Sequence, residues 1–224
     1  MFWPLLLCHF LADYPLQSDA IAQAKTRLPG LIWHVAIHLI TMLVVILGLL
    51  GSDWRVALPA ILALTAFHFL IDRWKNILSR LRPRWVIFSY LQDQVLHLLS
   101  ILAIAYWVEQ SGGLSMFLNE TVWIVPMIGF VLVTYAWFIT ERVLAHRNQC
   151  YREWVNEQSW SRMVGRAAMF SAWFAGWSLW GLLILLGGLA YHWLDLAGAY
   201  RFRALATDGC VVAVVMSLFK WSLA

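Results

Sequence analysis

His9-Phe10-Leu11-Ala12-Asp13 returns 59 residues further on as His68-Phe69-Leu70-Ile71-Asp72. The same offset carries His34 onto Asp93, His38 onto His97 and Gln17 onto Asn76. Each half of this region therefore holds two polar pairs at i, i+4 spacing: His9/Asp13 with His34/His38, then His68/Asp72 with Asp93/His97. On a helix, such a pair stands on one face, one turn apart. All four pairs lie in strongly apolar sequence, where ionisable side chains are costly and point to function. The pattern predicts an all-α fold whose N-terminal half is a duplicated helical hairpin carrying a metal site.

Composition sets the environment. The chain has 224 residues, 62% hydrophobic and 12% charged, with a mean hydropathy of +0.71. Soluble domains average about 25% charged residues, so an integral membrane protein is expected. Fifteen Trp fit that class, since Trp favours the interfacial belts. The net charge of +4 falls mostly in loops, which topology explains without a nucleic-acid partner. No groove-reading helix, base-stacking platform or Gly-rich phosphate loop is present. Cys8, Cys150 and Cys210 have no metal-type spacing and read as free thiols. The N-terminus lacks a basic region and a small-residue cleavage site, so the first apolar segment is expected to be retained.

A spanning helix needs about 20 apolar residues. Residues 31–50, 55–71, 88–108, 122–140, 167–191 and 205–219 meet that length or approach it. Residues 2–12 are too short to span alone. The expectation is a polytopic bundle of six full spans plus a short N-terminal segment. Lys25 and Arg27, the run Arg73 to Arg84, and Arg142 to Arg166 alternate with loops free of Lys and Arg. The positive-inside rule places these basic loops in the cytoplasm, in a bacterial inner membrane. Arg201 and Arg203 would then lie outside, as an exception. With this topology all four polar pairs reach a similar depth near the cytoplasmic face. The two halves would be related by a pseudo-twofold axis along the membrane normal.

Imidazole and carboxylate together suit Zn, Fe or Mn better than Ca or Mg. The candidate ligands are His9, Asp13, His34, His38, His68, Asp72, Asp93 and His97. Eight exceed what one zinc takes, and two ions sharing a carboxylate would use them. Two divalent ions against three Asp leave one charge for a bound hydroxide, and a nearly neutral cluster suits a low-dielectric site. For any single pair, polar packing between helices is the simpler reading. For four pairs at one depth and one offset, the metal reading is stronger. Gln17, Asn76 and Gln94 are placed to orient ligands or touch substrate. Asp93, which breaks the repeat by standing where the first half has His34, is the candidate general base. His146 and His192 read as interfacial residues, and Glu141 with Arg142 as a helix-end charge pair. The run Arg73 to Arg84 could hold an anionic head group, although the positive-inside rule alone explains it.

The pattern His9-x3-Asp13-x3-Gln17, followed by His34-x3-His38, His68-x3-Asp72 and Asp93-Gln94-x2-His97, resembles a bacterial family of multi-pass membrane proteins catalogued as domain of unknown function 3307. The resemblance covers residues 5–108 and supports the motif positions, but it implies no activity. Residues 1–108 are thus expected to form the duplicated hairpin region. Residues 109–224, almost free of charge in their helices, are expected to be scaffold or a cleft open to lipid.

Three functions compete. A membrane-embedded metal-dependent hydrolase, acting on an ester, amide or phosphoester of a lipid-like substrate, leads. A divalent-cation transporter would use similar intramembrane His-x3-Asp pairs, although transporter sites favour the bilayer midplane. A di-iron oxygenase would also gather His at the cytoplasmic face but usually shows adjacent His pairs, which this chain lacks. A purely structural role would leave the four pairs without a metal. The bilayer is the expected partner, and no oligomeric state follows from the sequence.

Overall fold

The computed structural model describes residues 1–112, 120–174, 179–196 and 200–223. It is helical throughout, with no strand among the described residues. The helices are α1 (Phe2–Asp13), α2 (Asp19–Ala24), α3 (Leu28–Met42), α4 (Trp54–Leu81), α5 (Val86–Gln110), α6 (Glu120–Val131), α7 (Trp137–Leu144), α8 (Gln149–Glu157), α9 (Ser159–Phe174), α10 (Leu179–Asp195) and α11 (Arg201–Leu223). Two wider π-helical stretches, Leu43–Leu49 after α3 and Leu132–Ala136 before α7, extend their helices without a break. Among the described residues, five helices are long and apolar enough to cross a membrane: Leu28–Leu49, Trp54–Leu81, Val86–Gln110, Val122–Leu144 and Arg201–Phe219. The chain divides into two compact units, Met1–Val125 and Pro126–Ala224.

In the first unit α1 packs on α3, α3 on α4, α4 on α5, and α5 back on α1, closing a four-helix ring. Each helix turns one stripe inward, at the i, i+3/i+4 spacing that defines a helix face. On α4 the stripe is Ala57, Ile61, Leu64, then His68 and Asp72. On α5 it runs in the opposite order, Asp93 and His97 before Ile101, Ala105 and Val108. Apolar layers therefore meet at one end of the ring and polar layers at the other. The outward faces are apolar: Leu62, Phe67, Leu70, Leu91, Val95, Leu99 and Leu102 are all exposed. A unit with His and Asp inside and Leu and Phe outside suits lipid better than water.

α4 runs ten residues past the expected end of its span at Ile71, so Arg73, Lys75 and Arg80 are helical rather than in a loop. The inward face explains the extension, because it continues through Asp72 to Lys75 and Asn76, which find partners there. The turn before α3 lies against this helix end, with Arg80 donating to the Thr26 carbonyl at 2.5 Å.

In the second unit, the single span expected over 167–191 is replaced by an antiparallel pair. α9 and α10 lie side by side, and residues 175–178 between them are outside the described residues. The approach is close enough to require glycine. A Cβ on Gly188 would fall 2.3 Å from the Ala168 Cβ, and one on Gly165 would fall 2.6 Å from His192 Nδ1. The sequence reading saw only continuous hydrophobicity, which a hairpin and a long helix share. The pair also returns the chain to the end it left, so Arg201 and Arg203 share an end with Arg162. The contact of the Arg203 guanidinium with the Tyr151 ring, 4.2 Å away, agrees with this.

These helices are not free of charge inside. Asp208 on α11 accepts from Arg162 Nε and NH2 at 2.8 and 2.6 Å, and from Arg166 NH1 at 2.7 Å. His192 Nε2 lies 3.2 Å from Asp208 Oδ2, the oxygen that also accepts from Arg162 Nε. Arg162 also pairs with Glu141 at 2.7 Å, and Glu141 accepts from the Tyr151 hydroxyl. Arg166 donates to the carbonyls of Val133 and Thr134 in the π-helical stretch. Glu141 is thus a buried partner of Arg162, and His192 is buried rather than interfacial. Burial, with the Glu141 carboxylate beside it, pushes the Tyr151 phenol up to about 12, so it remains a donor.

Candidate metal centre

The polar end of the ring gathers all five histidines of the first unit. His34 and His38 stand about 9 and 15 Å along α3, from its rise of 1.5 Å per residue. His9 and Asp13 close α1, while His68 with Asp72 and Asp93 with His97 come from α4 and α5. All eight expected ligands are buried, at 0–7% exposure. The imidazoles crowd against one another, with His38 and His68 centroids 3.6 Å apart and His68 and His97 4.2 Å apart, both pairs tilted, and His9 stacked on His97 at 4.8 Å.

Asp13 is the hub. Its Oδ1 lies 3.1 Å from His34 Nε2, 3.1 Å from His38 Nε2 and 3.9 Å from His68 Nε2, and its Oδ2 is 3.5 Å from His9 Nε2. His34 Nε2 in turn has Asp13 at 3.1 Å, His68 Nε2 at 3.1 Å, Asp72 at 3.3 Å and Lys25 at 3.5 Å. One imidazole nitrogen carries one proton or one lone pair and cannot satisfy four such neighbours. Ligand atoms around a tetrahedral ion at 2.0–2.1 Å stand roughly 3.3 Å from one another. Among the described residues, three donor groups could hold a metal ion: Asp13/His34/His38/His68, His9/Asp13/His97, and His68/Asp72/His97.

His97 is oriented by its own helix. Its Nδ1 lies 2.9 Å from the Asp93 carbonyl, which only accepts, so Nδ1 carries the proton and Nε2 presents a lone pair. That Nε2 is buried without a hydrogen-bond partner among the described residues. A small cavity of ≈ 10 Å³, about the room one water-sized particle takes, is lined by His9, His38, His68, His97, Met42 and Ser100.

Asp93 stands apart from the three groups. Its Oδ2 accepts from Lys75 Nζ at 2.5 Å and from Gln94 Nε2 at 3.2 Å, while its Oδ1 is 3.6 Å from His97 Nδ1. Gln17 donates to the Asp13 carbonyl at 3.0 Å and so ties down the end of α1. Gln94 accepts from the Tyr14 hydroxyl at 3.1 Å, joining α1 to α5. Asn76 donates its side-chain amide to the Lys25 carbonyl at 2.8 Å.

Two residues at the site escaped the sequence reading. Lys25 Nζ is 3.6 Å from Asp72 Oδ2, and Lys75 Nζ is on Asp93. Both were credited to the charge of the basic loops. Lys75 was detectable, three residues after Asp72 and therefore on the same helix face. Lys25 lies just beyond a short helix, where spacing gives no such signal.

No curated protein and no solved structure matches this chain. A family model does match residues 1–125, more than half the chain and all of the unit that carries the cluster. The chain belongs to the family described as Protein of unknown function (DUF3307).

Proposed function

We propose that this protein is a membrane-embedded, metal-dependent hydrolase that acts near the cytoplasmic face on a lipid-like ester, amide or phosphoester. The observation that carries the reading is the donor set at Asp13, His34, His38 and His68, whose atoms have the mutual spacing of ligands on one ion. A purely structural ion needs four ligands and no more. Here His9, Asp72 and His97 remain, and surplus donors are what proton transfer uses. Zn is the favoured ion, with Fe and Mn the other candidates. When bound, such an ion lowers the pKa of a coordinated water toward neutrality. The chain's own contribution is to hold the ion through those four residues. His97 Nε2 would accept the proton, its lone pair fixed by the Asp93 carbonyl. Asp93, engaged by Lys75, would position His97 rather than act as the base. Lys25 and Lys75, 14% and 24% exposed, are more accessible than any of the eight ligands and would draw an anionic head group, which favours a phosphoester.

The geometry also supports the duplication. In the ring, α1 stands across from α4 and α3 from α5, the arrangement that a twofold exchange of hairpins would produce. Each unit gathers basic residues at one end, and the positive-inside rule assigns each such end to the cytoplasm of a bacterial inner membrane. With α9 and α10 as a returning pair, Arg201 and Arg203 obey the rule.

Chelator-stripped protein in detergent is expected to lose turnover of a short-chain phospholipid, and to regain it with added Zn, Mn or Fe. Stoichiometric metal without metal-dependent turnover of any lipid ester, amide or phosphoester would sink the hydrolase reading. A divalent-cation transporter is the second reading. It is favoured by the overlap of the three donor groups, which share Asp13, His68 and His97 as adjoining stations would. Metal flux into proteoliposomes would promote it, and bound iron would promote the oxygenase.

A further inference from the structure

The charge at the centre differs from what the carboxylates alone imply. Asp13, Asp72 and Asp93 bring three negative charges, and Lys25 and Lys75 return two positive ones within 3.6 Å. One divalent ion with a bound hydroxide makes this set neutral. A second ion would leave it at +2 in a low-dielectric interior, which is costly. Donors for a second ion nevertheless exist. His68, Asp72 and His97 form a complete triad, and His97 Nε2 has no partner. An ammonium stands at the Asp72 corner of that triad, since Lys25 Nζ lies 3.6 Å from Asp72 Oδ2, and it also reaches His34 Nε2 of the adjoining donor group at 3.5 Å.

Lys25 is held there with care. Asn76 donates to its carbonyl, and Arg80 donates to the next carbonyl, of Thr26. The Lys25 amide bonds to Ile21 at 2.9 Å. Gly30 lets α2 approach α3, for a Cβ there would fall 2.1 Å from the Ala24 carbonyl oxygen. Both polar side chains that fix the turn come from α4, the helix that supplies Asp72.

We propose that the Lys25 ammonium takes the place of a second metal ion: the centre is built for one divalent ion and one lysine, and His68/Asp72/His97 is a latent second metal site that the lysine closes. This rests on the reading of the cluster as a metal centre. Lys25 acts as a positioning and selecting residue, and fixes whether the site works with one ion or two.

The test is the zinc content of the full-length protein in detergent, saturated with Zn(II), desalted and measured by elemental analysis. Wild type is expected to hold one equivalent and Lys25→Met two. Lys25→Arg, which keeps the cation, should stay at one, and Lys25→Met/His97→Ala should return to one. Asn76→Ala, outside the donor set, should loosen the turn and admit a second, weaker equivalent, and it serves if Lys25→Met does not fold. One equivalent in wild type, in Lys25→Met and in Asn76→Ala overturns the role of Lys25 and leaves the metal centre standing. Two in wild type does the same. No zinc in any of them overturns the metal centre, and this proposal with it.

Discussion

Asp208→Asn is expected to destabilise the C-terminal unit by about 3–5 kcal/mol, the range for breaking a buried pair from one side. Whole domains are stable by only about 5–15 kcal/mol, so most of the folded margin would go. Asp208 is fully buried and receives Arg162, Arg166 and His192 from two other helices. With the carboxylate present the set is balanced, Glu141 and Asp208 against two arginines. Without it, one guanidinium charge has no counter-ion in an apolar interior, and neutralising an arginine is not open to the protein. The double variant Asp208→Asn/Arg166→Gln removes the excess charge and should recover part of the loss. It would not recover all, because Arg166 also donates to the Val133 and Thr134 carbonyls of the π-helical stretch. Thermal or dodecyl-sulfate unfolding of the detergent-solubilised protein reads both effects. A double variant less stable than the single one would show that charge balance is not what Asp208 supplies.

That network also marks where sequence reading stopped. The four His/Asp pairs were legible because two i, i+4 pairs per half, repeated at one offset, fix a helix face with no knowledge of the neighbours. The ring then set the register among helices, which spacing within one helix cannot do. Arg162 and Arg166 are spaced by the same four residues, yet they were counted as loop charge because they sit at the edge of an apolar run. Asp208, the one acidic residue of α11, offered the signal that intramembrane ionisable residues always offer, but its arginine partners lie 46 and 42 positions away. Charges that meet only through tertiary packing leave no local period. The α9–α10 hairpin was missed for a related reason. Hydropathy measures how apolar a stretch is, and one long apolar helix and two shorter ones in succession score alike. Lys25 joins the centre by the same non-local route, through a carbonyl held from α4.

Asp13→Asn is expected to empty the metal centre, weakening metal affinity by more than about 100-fold, beyond the 10–100-fold that outer partners of metal ligands typically contribute. Asp13 Oδ1 is the one carboxylate oxygen within 4 Å of three imidazole nitrogens, and its other oxygen reaches a fourth. In the proposed centre it would therefore supply both the anionic ligand and the alignment of His34, His38 and His68. Asparagine keeps the volume and removes the charge, so folding should survive while the ion is lost. Asp93→Asn is the informative contrast. Its carboxylate is spent on Lys75 and Gln94, outside every converging donor group, so metal content should stay at the wild-type value. Turnover should nonetheless fall, because the Asp93 side chain lies against the His97 edge whose proton sets the tautomer. Equilibrium dialysis against Zn(II) with elemental analysis separates the two variants. Metal kept by Asp13→Asn but lost by Asp93→Asn would move the ion toward α5 and refute the donor set assigned here. The repeat pairs Asp13 with Asp72 and leaves Asp93 where the first half has His34. Packing sets Asp13 among histidines and Asp93 against a lysine, and of the two only Asp13 belongs to a converging donor group among the described residues.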